Sequence, residues 1–74
     1  MYNHKAYLKK ELANKIEKRD FLKAYISEIM DNCSNEEEKE WYLNHPLFQK
    51  KLKLLEGTEK AIVNLTKKIE KIEN

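Results

Sequence analysis

Residues 31–46 read DNCSNEEEKEWYLNHP, and they separate two long apolar seams. Before them run Leu8, Leu12, Ile16, Leu22, Ile26 and Ile29. After them run Phe48, Leu52, Leu55, Ile62, Leu65, Ile69 and Ile72. Both sets step mostly by three or four residues, the spacing that gathers side chains on one helix face. The interruption holds a polar run, Asp31 to Asn35, and the chain's only proline, Pro46. The fold expected is therefore all-α: a long antiparallel helical hairpin, coiled-coil-like, with a short helix at the bend. Two copies of such a hairpin can pack as a four-helix bundle.

The local signals give approximate bounds. Asn3 is a candidate N-cap for a first helix over about residues 3–32. Ser34 or Asn35 can cap a short helix over about 36–43, whose first turn holds Glu36, Glu37 and Glu38 at the positive end of the helix dipole. Asn44 or His45 would cap a last helix over about 46–73, with Pro46 in its first turn, where a missing N–H costs nothing. Gly57-Thr58 is the ambiguous point, since Thr58 could cap a new helix. The seam keeps its phase across it, Leu55 to Ile62 being one heptad, so a continuous helix is expected. The whole chain, 1–74, reads as one helical domain.

Setting Ile26 opposite Leu55 makes the seams meet along their length. Leu22 then falls near Thr58 and Glu59, Arg19 near Ile62, Leu12 near Ile69 and Leu8 near Ile72. Lys15 and Arg19 interrupt the first seam. Long stems can cover apolar surface while their charges reach water, and Glu59, on the flank of the opposite seam, could pair with Arg19 to set register.

At 74 residues the core of a hairpin is thin, so self-association or a partner is expected. Fifteen basic and thirteen acidic residues leave a net charge of +2, too weak to imply nucleic acid. Lys53, Lys60 and Lys67 recur at heptad spacing, with Lys71 beyond, and form a stripe that could contact phosphates. Against specific readout, Arg19 is the only arginine. The lone Cys33 has no intrachain disulfide partner, the N-terminal stretch lacks an apolar signal-peptide core, and no run spans a bilayer, so a cytoplasmic protein is expected.

No residue cluster specifies a chemistry. Cys33, His4 and His45 lack any zinc-type spacing, no nucleophile has a base and an orienting group in view, and no glycine-rich phosphate loop occurs. No catalytic residue, cofactor or metal is assigned. What remains is aromatic: Tyr7, Phe21 and Tyr25 on one flank of the first helix, and Trp41 and Tyr42 in the short one. Such side chains are the usual anchors of protein interfaces. The function expected is a small non-enzymatic module, a regulator or inhibitor that docks on a larger protein through these five residues. A nucleic-acid-binding protein and a structural coiled-coil assembler are the alternatives.

Overall fold

The computed structural model of the chain describes residues 3–73. Three helices occur in order: α1 (His4–Asp31), α2 (Glu36–Asn44) and α3 (Pro46–Glu73). α1 packs along α3, and α2 packs on α3 at the bend, giving the all-α hairpin expected. The molecule is a rod of 54 × 19 × 15 Å with a radius of gyration of 16.4 Å. A compact chain of this length would have a radius near 11 Å.

Each helix end has a local cause. The Asn3 side chain accepts a hydrogen bond from the Ala6 N–H at 3.0 Å and so satisfies one orphan donor of α1. Asn35 does the same for Glu38 at 2.9 Å, and the Glu38 carboxylate in turn accepts from the Ser34 N–H at 2.9 Å. The two bonds form a variant of the reciprocal capping box, reaching one residue further back. His45 ends α2 in extended backbone and caps α3: its Nδ1 accepts from the Leu47 N–H at 3.2 Å. α3 runs unbroken through Gly57. The Thr58 hydroxyl turns back to donate to the Leu54 carbonyl at 2.7 Å, so it caps nothing and belongs to the helix interior.

The core is as thin as the length implies. Leu8, Leu22, Phe48 and Ile69 are its buried apolar residues, and no described side chain is completely enclosed. Thr58 is buried with them. Leu22 and Thr58 are the buried residues at mid-length, the level at which the seam alignment pairs them. Thr58 carries its own hydrogen bond there, so the polar group is buried without penalty.

The far end of the hairpin is held by charge. Glu73, at the end of α3, lies 3.4 Å from both Lys5 and Lys9 of α1. These lysines flank Leu8 in sequence, so the pairs put Glu73 at the level where the alignment sets Ile72. Lys5 and then Lys9 hold the Glu73 carboxyl below its ordinary value of 4.5.

Candidate functional site

The bend brings together three of the five aromatic residues singled out in the sequence. Tyr25 of α1, Trp41 and Tyr42 of α2, and Leu47, Phe48 and Leu54 of α3 line a cleft of about 460 Å³. The local sequence explains the arrangement. Pro46 and the extended His45 stop α2 one turn beyond Trp41, which leaves α2 short enough to fold onto α3. Tyr42 points inward and meets buried Phe48 at 6.0 Å between ring centres. Trp41 stands on the adjacent flank, edge-on to Tyr42 at 4.9 Å and against the His45 ring at 5.0 Å. Trp41 thus contacts the Tyr42 and His45 rings while 60% of it remains exposed.

Around the mouth, Leu47 is 64% and Tyr25 41% exposed. Two lysines from α3, Lys50 and Lys51, complete the lining, and the Lys51 ammonium sits 5.8 Å from the centre of the Tyr25 ring. Among the described residues no carboxylate lines the cleft. Chemically the cleft offers aromatic faces, aliphatic side chains and positive charge. His45 also lines the cleft, and its Nδ1 is already engaged as a helix cap.

The other two aromatics fall differently. Phe21, 72% exposed, precedes Tyr25 by one turn on the same flank of α1 and extends the apolar surface beyond the cleft. Tyr7, half exposed, is five turns from Tyr25 along α1, roughly 27 Å away, and shares no patch with it. Leu47 and Leu54 were missed as site residues. Their spacing of one heptad, just outside the seam, was the available signal.

The polar seam is also arranged differently from the expectation. Lys15 and Arg19 are half-buried along α1, as stems that cover a seam would be. Arg19, however, pairs with its neighbour Asp20, through Nη2 at 3.0 Å and Nε at 3.1 Å. Glu59 is exposed and does not meet it. The reason is phase: three residues after Leu55 the seam takes up Thr58, and Glu59, a further 100° around, is turned out of it. Glu59 instead borders a groove with Leu52, Leu55 and Val63, lined by α3 alone, with nothing folded over it.

Lys53, Lys60, Lys67 and Lys71 are all exposed on α3. Lys60 lies 3.3 Å from Glu56, so part of that stripe is locally neutralised. Among the described residues no group of His, Cys, Asp and Glu could hold a metal ion. Cys33 is a free, half-buried thiol whose Sγ lies 3.2 Å from the Ile29 carbonyl. No described helix is long and apolar enough to cross a membrane.

The fold and site define a small all-α hairpin with an aromatic cleft at its bend. No protein-family model, curated protein or solved structure matches the chain.

Proposed function

We propose that the chain is a non-enzymatic protein-binding module, a regulator or inhibitor that docks on a larger protein through the cleft at its bend. The observation that carries this reading is the exposure of Trp41 at 60% in a chain with four buried apolar residues among those described. A fold short of core gains most by burying its largest apolar side chain. Here that side chain lies against two neighbouring rings and is left at the surface. An exposed tryptophan beside a tyrosine and exposed leucines is the composition of an interface centre.

The test compares the parent chain with Trp41→Ala/Tyr25→Ala in affinity purification from the organism that encodes it. Circular dichroism verifies that the variant keeps its helices. A partner retained by the parent and lost by the folded variant is the expected result. A partner set that is unchanged refutes the reading. Nucleic acid is the competing occupant, and it would use Lys53, Lys60, Lys67 and Lys71. Retention on DNA or RNA that weakens steeply with salt, and that falls when these lysines are neutralised, would replace the present reading with that one. Light scattering of the purified chain tests separately the expectation that the chain is a homodimer.

A further inference from the structure

The following rests on the reading of the cleft as a docking site and names what docks there. α3 carries a second stripe beside its seam: Leu47, Lys50, Leu54, Gly57 and Ala61, spaced by three and four residues. The stripe starts in the cleft, where Leu47, Lys50 and Leu54 are lining residues, and continues along that flank of α3.

Two features, one in this stripe and one in the cleft it starts from, stay unmatched within the monomer. One is Gly57. Glycine destabilises a helix interior relative to alanine, so it needs a reason. Its φ is negative, and a Cβ placed on it would meet nothing within 4 Å. Neither a turn nor a close internal contact calls for glycine at this position. On a helix flank that is open to solvent, its effect is to let another backbone approach closely. The other feature is charge. Lys50 and Lys51 are the charged lining groups. Among the described residues neither lysine pairs with a carboxylate, and Lys51 lies against the Tyr25 ring instead.

The geometry points to an acidic amphipathic helix of the partner protein as the occupant. Its apolar anchors enter between Leu47, Leu54 and Tyr25, its carboxylates face Lys50 and Lys51, and its backbone crosses α3 at Gly57. This is helix-in-groove recognition with a charge requirement.

The test selects from displayed helical peptides of about five turns. Their apolar stripe is drawn from Leu, Ile, Met and Phe, and their flanking positions encode Glu or Lys equally. The full chain is the target. Selected peptides should be Glu-rich and should shift the emission of Trp41, the chain's only tryptophan. Their affinity should fall about tenfold or more for Lys50→Glu/Lys51→Glu and for Gly57→Leu. Open space at Gly57 lets the leucine variant fold, which circular dichroism verifies. Lys-rich or charge-indifferent winners overturn the inference, as do Glu-rich peptides that bind the Gly57→Leu variant as tightly as the parent. Absence of any winner also overturns it. If the chain is then a dimer that Gly57→Leu dissociates, the occupant is a second copy. A cellular partner that needs Trp41 but ignores Lys50, Lys51 and Gly57 would leave the docking reading standing and remove this one.

Discussion

Replacing Gly57 with alanine should make the free protein more stable. Gly57 lies inside the 28-residue α3, more than two turns from either end. Its backbone is ordinary helix, since no described glycine has positive φ. The added methyl group meets no atom within 4 Å, so nothing must move to admit it. What remains is the intrinsic difference between glycine and alanine in a helix interior, about 0.8–1 kcal/mol in favour of alanine. For a domain of this size that corresponds to a rise in Tm of about 4–8 °C. The assay is thermal and urea denaturation followed by circular dichroism at one protein concentration, because self-association would make the midpoint depend on concentration. The urea midpoint should rise with the slope unchanged, the mark of a change in stability alone. An unchanged or lowered midpoint would refute the reasoning, because it would mean that α3 bends or makes a close approach at Gly57 in solution.

Leu22 is 3% exposed, and Leu22→Ala should cost about 2–5 kcal/mol, enough to unfold most of a chain with so small a core. Phe21 next to it is 72% exposed, and Phe21→Ala should stay within about 0.5 kcal/mol; similar urea midpoints for the two variants would contradict the packing described. Asn35→Ala removes the cap of α2 and should cost about 1 kcal/mol, with the loss visible as increased mobility of Trp41 in fluorescence anisotropy. The Glu73 carboxyl is held below 4.5 by Lys5 and Lys9, so its contribution to stability is complete above that value and is lost as pH falls through the lowered one. The parent should therefore lose more stability than Glu73→Gln on acidification to about pH 3, and added salt should narrow the gap. Identical pH profiles would show that the end clamp does not form.

The helices and their ends were legible because their causes are local. Asn3, Asn35 and His45 act on N–H groups two or three residues away, so their roles follow from position in the chain. The antiparallel hairpin was legible because α3 has one strongly apolar face and the bend brings α1 back along it. The Arg19–Glu59 pair was not, since it depended on which of two adjacent residues, Thr58 or Glu59, turned inward. A step of three and a step of four both continue a helix face, and packing against α1 chose Thr58. Arg19 then took the nearest carboxylate, Asp20.

The candidate site divides in the same way. Sequence alone named Tyr25, Trp41 and Tyr42 as residues left over from the seams, together with Tyr7 and Phe21, but it could not say which would meet. Ordinary periodicity determined that the chain is a helical hairpin, and short-range hydrogen bonding determined where its helices stop. Only the tertiary structure decided that α2 folds onto α3 so that Tyr42 packs inward and Trp41 stays exposed at a cleft shared with Tyr25, Leu47 and Leu54. The reason is that a helix's period is written in its sequence, whereas the direction a nine-residue helix takes after a four-residue turn is set by which surface it can bury, and that surface is assembled from the helices on either side of it.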